Sequence, residues 1–337
     1  MNKLNKIGVS ALCGSLAAFS SAYAGDLTVS GGANMTWMSK EKATTGNPLG
    51  IDSAFSFAGS GELDNGWSVD LSIATADVGA YSNTSVTIGV PGLGDILVNQ
   101  GGSGTGIQRL DDITPTVWEE ADGAGLSATI NKISGGSAGT TIEITPSGVP
   151  DGLTARFAYT MDADGGSSVS DKGVGGSSGY ADTGWDLTLE ATSDLTGVDG
   201  LTLYAGMSEV DQFTNAGAVS GNREETVIGV KYAMGGFTVG YQVTDEDTGL
   251  TTTTNYENTS YGITFNVNDD LSIGYGHTES DESGQSKASP EADSISAAYT
   301  MGGATFRVAE VDVSNAGYST AASADKDATV LSLGLAF

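Results

Sequence analysis

The sequence predicts an all-β fold, a transmembrane antiparallel β-barrel of about sixteen strands, from three observations. Apolar residues recur at every second position in one segment after another, which is the side-chain period of a β-strand. The positions between them carry mostly Gly, Ser and Thr rather than large apolar residues. Long and short connections alternate along the chain, as external loops and periplasmic turns do in outer-membrane barrels.

The N-terminal residues precede this barrel. Two lysines within the first six residues are followed by an apolar stretch at residues 7–19 and then by small residues. This order is typical of a secretory signal peptide, so we expect residues 1–24 to be removed after Ala24, which leaves residues 25–337 as the barrel domain. The apolar stretch is too short for a helical membrane span, which needs about 20 residues.

The composition excludes several classes of protein. Without the signal peptide the chain has 11 basic and 42 acidic residues, a net charge of −31, and such a charge repels nucleic acid. Cys13 is the only cysteine and leaves with the signal peptide, so no disulfide supports the exported fold. The 50 glycines and the abundance of Ser and Thr disfavour helices, while a hydrophobic fraction of 39% argues against disorder.

The alternation begins directly after the signal peptide. Leu27, Val29 and Trp37 share one parity, whereas Thr28 and Asn34 share the other. The same pattern recurs at residues 237–244, 260–267 and 271–276. A soluble β-sandwich or adhesin, the alternative, buries large residues on its inner face and usually exposes charges on its outer face. A face of small polar residues instead suits the water-filled interior of a membrane barrel, with lipid on the apolar side.

Sixteen candidate strands follow from this alternation and from the turn residues between them. They lie near residues 26–38, 52–63, 67–77, 84–90, 95–100, 140–146, 152–161, 184–193, 200–210, 224–233, 237–246, 256–267, 271–280, 292–300, 304–313 and 326–337. Residues 126–133, within the longest connection, also look strand-like. If they pair with residues 116–121 the barrel has eighteen strands, so this alternative stays open.

The sequence resembles the Gram-negative general porins, in particular their alphaproteobacterial branch, over essentially the whole exported chain. The resemblance rests on the signal peptide, the alternating strands, the run at residues 144–153, the long third loop at residues 101–139 and the last strand, which ends in Phe337. A C-terminal aromatic residue with apolar residues at every second position before it is similar to the signal read by the barrel-assembly machinery.

The resemblance implies an outer-membrane channel for the passive diffusion of small hydrophilic solutes, surrounded by lipid and lipopolysaccharide. It also implies a homotrimer of sixteen-stranded barrels, each narrowed by a third loop that folds into the lumen. Residues 101–139 match that loop in position and length. A substrate-selective porin for sugars or amino acids is the alternative, with Tyr204 as a stacking surface.

Charged residues of the third loop are the first candidates for selectivity. They are Arg109, Asp111, Asp112, Glu119, Glu120 and Asp122, with Lys132 as the second basic residue. Carboxylates placed in the lumen set a negative potential at the narrowest point and so favour cations weakly. The simpler interpretation is that they are solvated loop charges.

Charged residues on the polar parity of the strands are the second set of candidates. We expect them to face the lumen, because a charge on the lipid face costs about 2–4 kcal/mol at the bilayer midplane. They are Glu62, Asp70, Glu143, Arg156, Asp186, Glu190, Lys231 and Arg307. The three basic members are candidates to oppose the acidic loop across the lumen.

Enzymatic chemistry has little support in the sequence. Two matches to the Gly-x-Ser-x-Gly motif, at residues 135–139 and 175–179, fall in Gly-rich loops without the strand-to-helix context of a nucleophile. His277 is the only histidine and lies on the outward parity. We expect no cofactor. Weakly bound Ca²⁺ is considered only at the acidic segments 162–164, 245–247 and 281–282, where solvated charges are the simpler interpretation.

Overall fold

The structure, a computed structural model, describes most of the chain. The described residues are 24–41, 46–76, 80–100, 104–111, 113–121, 125–136, 139–163, 181–213, 219–251, 255–283 and 288–336. Residues 1–23 of the expected signal peptide lie outside these ranges, as do Asp112, Asp122 and the C-terminal Phe337. The signal peptide and the assembly role of Phe337 therefore stay predictions.

Sixteen strands account for nearly all regular structure in the described ranges. They are β1 (Ala24–Glu41), β2 (Leu49–Glu62), β3 (Ser68–Thr75), β4 (Tyr81–Val90), β5 (Gly94–Gln100), β6 (Thr141–Pro146), β7 (Leu153–Thr160), β8 (Ala181–Ala191), β9 (Leu201–Gln212), β10 (Arg223–Met234), β11 (Phe237–Asp247), β12 (Asn255–Asn266), β13 (Leu271–Glu282), β14 (Glu291–Met301), β15 (Ala304–Ser314) and β16 (Lys326–Ala336). A 3-10 helix (Gly106–Leu110) and the four-residue helix α1 (Ser193–Thr196) complete the set. Among the described residues, no helix has the length and hydrophobicity of a membrane span.

The strands form one closed antiparallel barrel. Each strand pairs with its neighbours in sequence, and β1 pairs with β16 from Gly32 opposite Ala336 to Glu41 opposite Asp327. Every one of the sixteen predicted strands is present near its expected position. The predicted barrel is thus confirmed, including its strand count.

Residues 126–133 are not a strand, so the eighteen-strand alternative is wrong. Ser127 and Thr129 have φ angles of 57° and 62°, in the left-handed region, and a strand needs a strongly negative φ at every residue. Leu126, Ala128 and Ile133 are buried against the barrel wall. Their apolar spacing imitated a strand because a loop that packs on a wall also needs buried side chains.

The barrel wall has one apolar and one polar face. The apolar face exposes large side chains such as Ile228 and Ile295, each 65% exposed. Near the loop end of β15 the pattern inverts: Val311 and Val313 are buried on the polar face, while Asp312 is exposed on the other. The inner face of this part of β15 therefore packs against other residues of the chain, as in a soluble β-sheet.

The two ends of the barrel differ in the length of their connections. At one end, here called the turn end, Gly235-Gly236 and Gly302-Gly303 close two-residue hairpins, with Gly235 and Gly302 at φ 60°. The other end, the loop end, carries the longer connections. The longest of these joins β5 to β6 and is called here the β5–β6 segment (residues 101–140).

Candidate functional site

The β5–β6 segment is held against the polar face of the wall by three buried carboxylates, each on a different strand. The first is Glu143 on β6, whose side chain is 2% exposed. It accepts a hydrogen bond from the backbone N–H of Gly106 at 2.8 Å, and its Oε1 lies 2.6 Å from Nη2 of Arg109. A buried carboxylate is costly unless its oxygens are paired, and here both are paired by one short helix.

The second carboxylate is Asp186 on β8, which is 1% exposed. Its Oδ2 accepts from the N–H of Ile107, and its Oδ1 accepts from the N–H of Gly136, both at 3.3 Å. One side chain therefore ties the beginning of the β5–β6 segment to its end.

The third carboxylate is Glu225 on β10, also 1% exposed. It accepts from the N–H groups of Ser134 at 3.1 Å and Gly135 at 2.5 Å. Arg223 on the same strand donates from Nη2 to the carbonyl oxygen of Gly135 at 2.5 Å. Charge-assisted bonds of this kind are stronger than neutral ones, so the end of the segment is fixed firmly to β10.

The middle of the segment lies on a track of glycines that crosses β11, β12 and β13. Gly240, Gly262 and Gly276 are direct partners in the sheet register, so they form a continuous strip without side chains. Pro115 lies against the first two, and Ala121 lies against Gly276. Because these glycines have no side chains, the segment can lie directly on the backbone of the wall at this place.

Further contacts extend round the wall to β16 and β1. Five side chains from four strands bond to the segment: Gln242 to the Asp111 carbonyl, Glu246 to the Asn131 amide, Ser294 to the Glu119 carbonyl, Lys326 to the carbonyls of Leu126 and Ser127, and Lys40 to the carbonyl of Gly125. Two apolar clusters add to these bonds. One places Ile107, Leu110 and Ile133 against Val227, and the other places Leu126 against wall residues of β14–β16.

The predicted residues of the third loop lie in different surroundings. Arg109 is paired with Glu143, and Glu120 lies 4.0 Å from Nζ of Lys132. Asp111 and Glu119 are half-buried and are held through their backbone carbonyls. The other two predicted acids of this loop are outside the described residues.

The predicted wall residues all lie on the polar face, but they divide into three groups. Glu62 and Asp70, on β2 and β3, are exposed. Glu143 and Asp186 are buried under the β5–β6 segment and hold it. The remaining four are half-buried near the turn end: Arg156, Glu190, Lys231 and Arg307. The three basic residues stand on β7, β10 and β15, which are not neighbours, so they do not form one basic cluster.

Several residues of this site were missed from the sequence. Glu225 and Glu246 lie at the loop end of their strands, where charges look like loop charges. Their parity was the available signal, because Glu225 shares the polar face with Lys231. Tyr204, considered as a stacking surface, is 3% exposed and donates its hydroxyl to Gln242 at 2.9 Å. It is therefore unavailable to a solute.

The candidate metal ligands and the single histidine lie in separate surroundings, and the serines of the two Gly-x-Ser-x-Gly matches are outside the described residues. No three His, Cys, Asp or Glu side chains converge there as metal ligands. Glu246 binds Asn131, whereas the Asp247 carboxylate accepts from the N–H of Gly249, so this acidic run does not converge. His277 lies on the apolar parity, with Nδ1 2.9 Å from Asp293. Ca²⁺ at the acidic segments stays a prediction.

Comparison with known proteins agrees with this architecture. A family model described as Gram-negative porin matches residues 8–316. The chain belongs to the Gram-negative porin family. No curated protein sequence matches this porin. Its assignment therefore rests on the family model together with the fold.

Solved porins share the fold at low sequence identity. A Salmonella typhi OmpF in complex with daunomycin has a TM-score of 0.68 at 12% identity and covers 92% of this chain and 97% of its own. An anion-selective porin from Comamonas acidovorans has a TM-score of 0.63 at 12% identity, with coverage of 93% and 99%. OmpTdeltaL8, a loop-deletion mutant of a Vibrio cholerae outer-membrane protein, has a TM-score of 0.65 at 10% identity, with coverage of 93% and 99%.

This porin is accordingly an outer-membrane channel for passive diffusion. The apolar face of the barrel suits contact with lipid, because every backbone group of a closed barrel is paired within the sheet. The ion selectivity of the channel depends on the charged side chains that line it.

Proposed function

We propose that the β5–β6 segment folds into the lumen and narrows the channel. Its contacts support this placement, because they fall on the polar face of strands from β6 round to β16, opposite the exposed apolar face. Lipid excludes a segment with so many backbone hydrogen bonds to charged side chains. The open passage then runs between the segment and the polar face of β1–β4.

We further propose that the channel prefers cations weakly. The observation that carries this proposal is the one-sided charge of strands β2–β6, which contain no Lys or Arg. Their five acidic residues are Asp52, Glu62, Asp70, Asp95 and Glu143. Glu143 is neutralised by Arg109, and the exposed carboxylates of Glu62, Asp70 and Asp95 form a negative wall beside the passage. A negative wall raises the local concentration of cations.

The basic side chains of the wall stand on other strands than these carboxylates. Lys40 and Lys326 donate to backbone carbonyls of the β5–β6 segment, and Arg223 does the same at Gly135. Arg307 donates to Asn34 at 3.1 Å. Lys40, Lys326 and Arg223 therefore hold the segment. The other basic residues of the wall, Arg156, Lys231 and Arg307, stand on β7, β10 and β15, away from the exposed carboxylates of β2, β3 and β5.

The fold does not determine the sign of the selectivity. A porin from Comamonas acidovorans with the same fold is described as anion-selective. Selectivity must therefore come from the side chains that line the passage, and in this chain those of β2 and β3 are acidic.

Reversal potentials in planar bilayers under a KCl gradient test the proposal. We expect a potential of the sign given by a cation-preferring pore. Asp70→Lys should shift it strongly toward anion preference, because it replaces a negative by a positive charge on the passage wall. Asp312→Lys is the matched control, since it makes the same change on the opposite face of the barrel. An anion-preferring wild type, or equal shifts in both variants, would contradict the proposal.

We also propose a homotrimer that contacts lipopolysaccharide and is assembled through its C-terminal strand. The Vibrio cholerae OmpT described in a trimer form supports the stoichiometry by its common fold. Native mass spectrometry in detergent tests the stoichiometry, with a threefold mass expected and a monomeric mass as the contradicting result. Deletion of Phe337 tests the assembly signal, with loss of folded barrel from the outer membrane as the expected result.

A further inference from the structure

An open depression lies in the polar face of the wall where strands β1–β4 line the proposed passage. Its volume is about 320 Å³. Sites for small molecules range from about 300 to 1,000 Å³, so this one suits a single small solute. Its polar side chains come from all four strands: Thr28 from β1, Ser60 from β2, Asp70 and Ser72 from β3, and Ser85 and Thr87 from β4.

Asp70 lies between two hydroxyl groups in this depression. In the sheet register it is the direct partner of Ser60 on one side and of Thr87 on the other. Direct partners in an antiparallel sheet point to the same face and have Cβ atoms about 4.5–5.5 Å apart. One carboxylate and two hydroxyl oxygens therefore form a short row on the polar face.

The side chains of this row are not used to hold the fold together. Among the described residues, Asp70, Ser60 and Thr87 make no side-chain hydrogen bond and no ion pair. Elsewhere on the polar face, hydroxyl groups that are partners in register bond to each other, as Ser30 and Ser56 do at 2.9 Å. The row therefore keeps its hydrogen-bonding capacity for molecules in the lumen.

The row matches the chemistry of a primary ammonium group. Such a group carries one positive charge and three N–H donors, so it needs three acceptors. Hydrogen bonds between ionised partners are roughly twice as strong as neutral ones, so Asp70 favours an ammonium group over a neutral sugar and repels a carboxylate. The flanking hydroxyls supply the other two acceptors. Strands β2–β4 contain no Lys or Arg that competes for this carboxylate.

We propose that this depression is a binding site on the passage wall for small solutes that carry a primary ammonium group and hydroxyl groups. Asp70, Ser60 and Thr87 accept the three ammonium N–H bonds, and Ser72 and Ser85 bond to hydroxyl groups of the solute. The site rests on the proposed passage along β1–β4 and extends that proposal by naming a class of solute. Binding here makes the flux of such solutes saturate at high concentration.

Single-channel currents in planar bilayers test the proposal, with protonated glucosamine as the probe and glucose as its neutral counterpart. We expect glucosamine to interrupt the KCl current with a saturating concentration dependence, and glucose to show no saturation over the same range. Combining Ser60→Ala with Thr87→Val should raise the half-saturating concentration several-fold. Thr202→Val is the matched control, since it makes the same kind of change on the polar face of β9. A linear dependence in the wild type, or an unchanged half-saturating concentration in the double variant, would overturn the proposal.

Asp70→Asn and Glu62→Gln provide a second test, which separates a binding site from the general field of the wall. Each change removes one carboxylate from the polar face, but only Asp70 lines the depression. Asp70→Asn should abolish the saturation, whereas Glu62→Gln should leave the half-saturating concentration nearly unchanged. Equal effects would show that the field alone attracts glucosamine and would contradict the site. The KCl reversal potential is measured without glucosamine, so a channel can lack cation preference and still show saturation, or the reverse.

Discussion

Gly262 of strand β12 lies directly beneath the carbonyl oxygen of Pro115 in the β5–β6 segment, closer than any side chain allows. A Cβ atom at position 262 meets that oxygen at a clashing distance. Gly240 has the same relationship to the ring of Pro115. The wall and the segment therefore fit each other as backbone against backbone, and the segment's path depends on the glycines.

Gly262→Val should displace the segment from the wall toward the channel axis. Overpacking of this kind costs about 1–3 kcal/mol, and a displaced segment narrows the passage. We expect lower single-channel conductance and a lower unfolding temperature in detergent. Gly59→Val is the control, because a Cβ there meets nothing within 4 Å. Unchanged conductance in Gly262→Val would show that the segment does not rest on this track.

Asp186→Asn should loosen one end of the segment. The amide nitrogen of asparagine cannot accept from an N–H group, so one of the bonds to Ile107 or Gly136 is lost, at a cost of about 1–3 kcal/mol. We expect faster protease cleavage within residues 104–136 and more frequent current fluctuations. Glu190→Gln, on the same face of β8, should leave both measurements unchanged. Equal effects in the two variants would argue against the anchoring role.

Leu126→Ala should destabilise the loop end of the barrel. Leu126 is 2% exposed and packs with Val311 and Val313, so its truncation leaves a cavity and costs about 2–5 kcal/mol. Leu93→Ala is the control, because Leu93 lies in a turn and is 53% exposed. Substitutions of exposed residues usually change the free energy of unfolding by no more than about 0.5 kcal/mol. Urea unfolding in detergent, followed by heat-modifiable mobility on a gel, measures both.

The proposed cation preference should depend on salt. The Debye length falls from about 30 Å at 0.01 M to about 3 Å at 1 M, so the negative wall acts across the passage only at low salt. We expect the cation-to-anion permeability ratio to approach 1 at 1 M KCl. A ratio that stays constant would indicate selection by a dehydrated binding site rather than by the field of Glu62 and Asp70.

The strands were predictable because the two faces of the barrel wall have different surroundings, which produces an alternation of apolar and polar residues along each strand. Each strand has lipid on one side and mostly small polar side chains on the other, so alternation survives in nearly all of them. Strand β15 was predicted correctly at residues 304–313, but the polarity of its two faces changes where this condition is not met. In β15, Val311 and Val313 pack inward against the β5–β6 segment, and the outward Asp312 lies above the apolar surface, so the local alternation is inverted.

The anchors of the segment were harder to predict because they depend on contacts between distant residues. Asp186 was identified as an inward charge, but its partners, Ile107 and Gly136, are 79 and 50 residues away and contribute only backbone N–H groups. A backbone donor leaves no mark in the sequence. The same applies to Gly240 and Gly262, which look like ordinary small residues until the segment is placed on them.

The pairing of β1 with β16 means that the first strand to be made is completed by the last. Until Lys326–Ala336 reaches β1, the sheet has two unpaired edges, and open edges invite pairing with other chains. A chain that stops before β16 therefore leaves β1 and β15 each with an unpaired edge. Closure of this barrel therefore depends on the presence of its sixteenth strand.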